Sequence, residues 1–347
     1  MNQKIKVAQF GLGPIGISCL KLMARKPWIE IVGAIDISPN IVGKDLATIT
    51  GLPALANAYA YETFEELIAG QSVDAVLHTA GSKAATSLLQ CMPMLERGVA
   101  VVSSCEELLF PALRAPEETA SVNAMCEATG GRILGTGVNP GFVLDVLPIC
   151  LSGVCAEVTG VYGERVVNAS TRRGPLQKKV GSGLAPDEFR ALGAAGKAGH
   201  AGFQESLMLV AHALGWEVGP ITEEIDAVVA TETIVTDYFT VEAGQTAGLH
   251  QIVKAESVEG YPIHFDLKMY QGAKDPHDTI RLDSEPPIEA TITQGVAGDI
   301  ATVSALVNAI PRLLIAKPGV RLMSELSLPS CIKQLYTGDF AEPCRSL

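Results

Sequence analysis

Through residues 1–147 the chain alternates short, nearly unbroken apolar runs with stretches in which apolar residues recur every three or four positions. Lys4–Phe10 (KIKVAQF) leads through GLGPIG into the periodic ISCLKLMAR, and IEIVGAID follows. Unbroken runs bounded by turn residues read as buried strands, and the three-to-four spacing reads as helices laid over them. The series continues with VDAVLHTA, a helical segment through Leu95, GVAVVSS, the stretch PEETASVNAMCEAT and RILGTGV. Pro and two Glu in the first turn of PEETASVNAMCEAT mark a helix start. The order predicts an α/β unit, a Rossmann-type doubly wound parallel sheet over residues 1–147.

After Leu147 the pattern changes. Alternating or β-branched runs appear at Glu157–Val167, Ala227–Val235, Ile252–Ser257, Ile263–Met269 and Glu289–Thr293, interrupted by a helical region from PDEFRAL to SLMLVAHALGW. They predict an α+β domain over 148–295 with a mostly antiparallel sheet. The periodic IATVSALVNAI, ending at Pro311, predicts a helix that returns with residues 296–347 to the first domain. The glycine-rich segments at Gly135–Gly141 and Gly295–Gly298 are the expected hinges.

Composition narrows the partners. The 347 residues are 48% hydrophobic and 18% charged, as expected of a globular chain of two domains. A net charge of −12 repels phosphate backbones and anionic lipids, and the one local concentration of cations is Arg172, Arg173, Lys178 and Lys179. Neither nucleic acid nor a membrane surface is expected as a partner. The start MNQKIKVAQFGLG lacks the apolar core of a signal peptide and no apolar run approaches a membrane span, so a cytoplasmic location is expected. The eight cysteines, at 19, 91, 105, 126, 150, 155, 331 and 344, have mostly apolar neighbours and no C-x-x-C spacing. They read as reduced core thiols. Histidines 78, 212, 250, 264 and 277 have no i,i+4 partner of metal-ligand type, and no metal is predicted.

Candidate chemistry gathers at the strand ends. Gly11, Gly13 and Gly16 fall on G-x-G-x-x-G between a strand and a helix, and the second strand ends at Asp36, 20 residues past Gly16. Gly11 permits the tight turn, Gly13 lets a pyrophosphate approach the backbone, and Gly16 lets helix and strand pack closely, with Pro14 and Ile15 opening the helix. Asp36 can accept hydrogen bonds from an adenosine ribose and repels a 2′-phosphate, which favours NAD(H) while leaving NADP(H) open; the plainer reading is a turn at Asp-Ile-Ser-Pro. His78, Thr79 and Ala80, the Ser103–Glu107 stretch, and Gly135–Phe142 should line one crevice outside the carboxyl ends of the strands. There Asn139 is a candidate for the nicotinamide carboxamide and Phe142 for an apolar wall, unless N-P-G is only a turn. The two carboxylates of Ser-Ser-Cys-Glu-Glu-Leu leave a buried strand together, so only one can face the crevice. Alternatively both merely favour the start of a helical turn. Arg165 and Asn168, on the first strand of the second domain, either reach a substrate or sit on a solvated strand face.

In combination, GLGPIG, VVSSCEELLFP, GTGVNPGFVLDVLP, GPLQKKVGSGL and GHAGFQESLMLVAHALGW make the chain resemble, over nearly its whole length, the NAD(P)H-dependent amine dehydrogenases and 2,4-diaminopentanoate dehydrogenases. The N-terminal half of that family is like dihydrodipicolinate reductase. The resemblance implies a homodimer that aminates a small ketone or aldehyde reductively with ammonia, or deaminates the amine. It implies Glu106 of the CEEL motif as the catalytic carboxylate, with Glu107 as the alternative, and His200 in the substrate pocket. A diamine or amino-acid dehydrogenase is the near alternative, in which Arg165, Arg172 or Arg173 would hold a substrate carboxylate. A dihydrodipicolinate-type imine reductase ranks lower, because no His-His cluster is present. A nicotinamide-binding regulatory protein without turnover would have no use for a carboxylate beside the cofactor.

Overall fold

Strand β1 (Ile5–Phe10) buries Val7, Ala8 and Gln9 and ends at the glycine turn, where Pro14 opens helix α1 (Pro14–Met23). The computed structural model describes residues 4–335, which divide into two units. The chain leaves the first after Gly141 and re-enters it at Gly298.

In the first unit β2 (Ile29–Ile35), α2 (Leu46–Thr50), β3 (Ala60–Tyr61), α3 (Phe64–Ile68), β4 (Ala75–His78), α4 (Ala84–Leu95), β5 (Ala100–Ser103), α5 (Pro116–Thr129) and β6 (Arg132–Gly135) follow in turn. The second unit holds α6 (Val146–Ser152), β7 (Glu157–Asn168), α7 (Gly174–Lys179), α8 (Pro186–Ala194), α9 (Phe203–Leu214), β8 (Thr222–Val229), β9 (Ile234–Val235), β10 (Thr240–Val241), β11 (Thr246–Glu256), β12 (Pro262–Tyr270), β13 (His277–Glu285) and β14 (Ile288–Thr293). Helix α10 (Gly298–Ile315) and strand β15 (Gly319–Arg321) then complete the first unit.

The first unit is the expected parallel sheet, in the order β15-β6-β5-β4-β1-β2-β3. β1 lies between β2 and β4, so the strand order reverses there, and the ends of β1 and β4 form the switch point where such sheets take ligands. The two edge strands, β3 and β15, are too short for any period to show in the sequence.

Helix α10 departs from expectation twice. It runs through Pro311 to Ile315, and its 18 residues are long and apolar enough to cross a membrane by length and composition alone. Its stripe of Val303, Leu306, Val307, Ile310 and Leu313 instead joins the core that packs on α1 and the sheet. The Arg312 guanidinium donates to the Asn308 carbonyl in the turn around Pro311, which helps the helix continue past a residue that usually ends one.

The sheet of the second unit has the order β14-β13-β7-β12-β11-β8, with β7 and β12 parallel and its other neighbours antiparallel. The run Ala227–Val235 is split between β8 and β9, and β13 was not visible as an alternating strand. On the buried face Phe203 of α9 meets Phe265 of β12 with ring centroids 6.2 Å apart. Four cysteines, 19, 91, 105 and 126, are core thiols, and burial pushes Cys105 and Cys126 up to about 11. Cys150 and Cys331 are exposed and Cys155 is half-buried, against expectation, and Cys344 lies outside the described residues.

Arg165 belongs to this interior. Its guanidinium donates to Asp278 Oδ2 at 2.7 Å and to the Val296 carbonyl at 2.7 Å, and the Val296 amide donates to the same carboxylate at 2.7 Å. Burial outweighs attraction for both partners, pushing the Asp278 carboxyl above its ordinary range and the Arg165 guanidinium below. Breaking such a pair leaves an uncompensated charge, so Arg165→Met should lower the unfolding free energy by about 3–5 kcal/mol. Arg165→Met combined with Asp278→Leu should recover most of that loss in urea midpoints. A single substitution as stable as the parent would rule out the structural role.

Candidate active site

The glycine turn after β1 is held from three sides. Gly11 adopts φ +86°, a conformation that a Cβ disfavours, and its amide donates to the Ile35 carbonyl. Gln9 Nε2 donates to the Phe10 and Gly11 carbonyls and to Thr79 Oγ1, and the Leu12 amide donates to Asp36 Oδ2 at 2.7 Å. A Cβ on Gly16 would overlap the Gly11 carbonyl oxygen, so helix and turn are packed to backbone contact. A Cβ on Gly13 would meet nothing within 4 Å.

Gly13 is the N-cap of α1, and no side chain caps the helix. The first turn of α1 thus starts without a side-chain acceptor beside the exposed, bare backbone of Gly13, which fits a dinucleotide pyrophosphate. Asp36 makes the local turn, with Oδ1 accepting the Ser38 amide at 2.8 Å, and Oδ2 also fixes the glycine loop. Each oxygen keeps a lone pair for a ribose hydroxyl. Thr79 and Ala80 border Gly11, with Ala80 Cβ among the atoms nearest to where a Gly11 Cβ would lie.

His78 does not face the crevice. It is fully buried, with Nε2 3.1 Å from Gln90 Oε1 and Nδ1 2.9 Å from Ser103 Oγ, while the Cys105 amide donates to Ser103 Oγ at 3.1 Å. One tautomer satisfies the set: Nε2–H donates to Gln90, the Ser103 hydroxyl donates to Nδ1, and Ser103 Oγ accepts from Cys105. Position 78 thus ties the end of β4 to the turn after β5 and leaves no nitrogen for a cofactor.

Burial lowers the His78 imidazole to about 4, against the hydrogen bond to Gln90 that raises it. Unfolding would restore an ordinary value of about 6.5, so below that pH the unfolded chain takes up a proton the folded one refuses. The stabilisation is complete above pH ~6.5 and is lost as pH falls toward 4, on the order of 3 kcal/mol in all. The urea midpoint should therefore drop more steeply between pH 7 and 4.5 in the parent than in His78→Gln. Equal slopes would show that another group carries the dependence.

The two strand-end carboxylates have separate fates. Glu107 is buried: Oε2 accepts the Ala84 amide at 2.8 Å and Oε1 pairs with Lys83 Nζ at 2.7 Å. Glu106, in the same 3₁₀ turn (Glu106–Leu109), is half-exposed and has no hydrogen-bonding or ionic partner among the described residues. That turn lies directly on Gly135 of β6, where a Cβ would overlap the Leu108 carbonyl group.

Asn139 is buried, and the Asn139–Pro140 peptide is cis. In the second unit Phe142 is half-buried and its carbonyl accepts the Leu147 amide; the Asp145 carboxylate accepts from the Val146 amide at the start of α6 and from Ser206 Oγ of α9. Arg165 is internal, as described. Asn168 is also engaged locally, donating to the Ala273 carbonyl at 3.1 Å and accepting the Ser170 amide at 2.9 Å. Neither presents the free polar group expected of a substrate residue. The amide and carbonyl of His200 clamp the Gln251 side chain, at 2.7 and 3.1 Å. Gln9, Gln90 and Ser103 are supports that the sequence alone did not single out; a glutamine inside the apolar KVAQF run was the available signal for the first.

Residues 142–341 match the family model described as 2,4-diaminopentanoate dehydrogenase C-terminal domain. The chain is 28% identical to a 2,4-diaminopentanoate dehydrogenase of Acetoanaerobium sticklandii, over 98% of this chain and 97% of that one. It is 24% identical to an amine dehydrogenase of Streptomyces virginiae, over 95% and 98% of the two chains. The fold is similar to that of an amine dehydrogenase from Mycobacterium smegmatis, with a TM-score of 0.84 and 22% identity over 96% of this chain and 99% of the other.

Proposed function

The chain belongs to the 2,4-diaminopentanoate dehydrogenase family, and from that premise we propose that it is an amine dehydrogenase. It joins a small ketone or aldehyde, ammonium, NAD(P)H and a proton to give the protonated amine, NAD(P)+ and water, and runs the reverse deamination. The observation that carries this reading is the unpartnered Glu106 at the switch-point side of a sheet whose glycine turn is shaped for a dinucleotide.

Bound nicotinamide supplies the hydride. The residues of this chain do the rest. Glu106 takes a proton from ammonium so that a neutral nitrogen attacks the carbonyl, returns it as the carbinolamine hydroxyl departs as water, and leaves its charge beside the resulting iminium cation. Gly13 and the first turn of α1 hold the pyrophosphate, and Asp36 favours the NAD(H) ribose over a 2′-phosphate. Asn139 is assigned to the nicotinamide carboxamide, and Phe142 and His200 to substrate selection. Arg165 and Asn168 are left out because their polar groups are already used. We also assign the protein to the cytoplasm, as a homodimer. Light scattering would test the dimer.

The diamino-acid reading is favoured by the identity to the Acetoanaerobium enzyme, but it must find its carboxylate clamp elsewhere than at Arg165. One assay tests both. NADH and NADPH oxidation is followed at high ammonia with ketones, aldehydes and keto acids in parallel. Turnover of simple ketones supports the first reading, turnover confined to keto acids the second, and no turnover on any carbonyl sinks both.

A further inference from the structure

Helix α4 begins without a cap of its own. Its N-cap residue is Lys83, which has no side-chain acceptor, and the orphan Ala84 amide is satisfied by Glu107, a residue that arrives from the end of the next strand. The contact is charge-assisted, buried and at the positive end of a helix dipole, all of which strengthen it. The ion pair from the same carboxylate to Lys83 is different, because 77% of the Lys83 side chain is exposed.

The tether fixes two loops at once. It joins the loop after β4, Thr79–Lys83, to the turn after β5, and both lie at carboxyl ends of strands where the ligand crevice forms. The turn itself is a single 3₁₀ turn, which has weak internal hydrogen bonding. Its backbone is held at Cys105 by Ser103, itself bonded to His78, and on the other side of Glu106 by the Glu107 side chain. Glu106 sits between these two anchors with its own side chain unheld.

We infer that Glu107 is the positioning residue for Glu106: by capping α4 it sets where the neighbouring carboxylate stands, and it touches no reactant. The inference rests on the amine dehydrogenase reading of Glu106. Misplacement of a reacting group by about 1 Å is enough to cost on the order of 10²-fold in rate.

The test is a double-mutant cycle on kcat with the full-length protein, together with NADH affinity by fluorescence titration and melting temperature. Glu107→Ala is expected to lower kcat about 10²-fold while NADH affinity changes less than about threefold. Glu107→Gln keeps an acceptor for the Ala84 amide and should recover at least about tenfold of that loss. Lys83→Met removes only the exposed pair and should leave kcat within about threefold of the parent. In a Glu106→Ala background, Glu107→Ala should have no further effect on residual kcat, because two residues that act through one group are not additive. The inference is overturned if Glu107→Ala lowers kcat by the same factor with and without Glu106, or if it lowers the melting temperature while kcat of the folded enzyme is unchanged. Full activity of Glu106→Ala itself would overturn the underlying reading, a result distinct from either.

Discussion

Glu106→Gln is expected to reduce amination roughly 10²–10⁴-fold while leaving the folded protein and its NADH affinity as they were. The size follows from the number of tasks one carboxylate performs. An amide cannot take a proton from ammonium, cannot return one to a departing hydroxyl, and offers only a dipole to an iminium ion. The absence of collateral damage follows from the geometry. Glu106 makes no hydrogen bond or ion pair among the described residues and is half-exposed, so an isosteric change there should stay within about 0.5 kcal/mol of the parent stability. Glu107→Ala makes the contrast, because it removes the acceptor that the Ala84 amide uses. Initial rates in both directions, with NADH titrated separately, would check the prediction. Full rates in Glu106→Gln would remove this residue from the chemistry and with it the main support for the proposed reaction.

Local features were legible in the sequence, and contacts made across long separations were not. The glycine turn needs only its own backbone, its helix and the strand end at Asp36, so spacing was enough to find it. That Glu107 is buried and engaged follows from the Ala84 amide, 23 positions upstream, a partner that no local pattern encodes. His78 was misread for a related reason: a strand-end residue can turn into the layer beneath, and Gln90 of α4 waits there to receive it. The second unit shows one cause behind two errors. Asp278 points inward from β13 to neutralise Arg165, so it interrupts the apolar alternation that would have revealed the strand, and without the strand Arg165 looked available for a substrate.

Two glycines three positions apart in the α1 turn give the second large expected effect. Gly13→Ala should fold normally and bind NADH at least tenfold more weakly, whereas Gly16→Ala should lose stability and cofactor binding together. At position 13 the backbone, with φ −69°, suits any residue, and a methyl group meets no protein atom within 4 Å. The space it enters is the space assigned to the pyrophosphate. An anion seated on the α1 amides at about 3 Å would be pushed beyond hydrogen-bonding reach. Each charge-assisted bond lost is worth about 1.5–3 kcal/mol, roughly ten- to a hundredfold in affinity. At position 16 the methyl group collides with the Gly11 carbonyl oxygen, a backbone atom held by Gln9 and Thr79, so the turn itself must move. Overpacking of that kind costs about 1–3 kcal/mol before any cofactor is considered. Melting temperatures and NADH titrations of the two variants separate the effects. Parent-like NADH affinity in Gly13→Ala would mean that the pyrophosphate does not lie on this turn, and the cofactor site would have to be sought elsewhere.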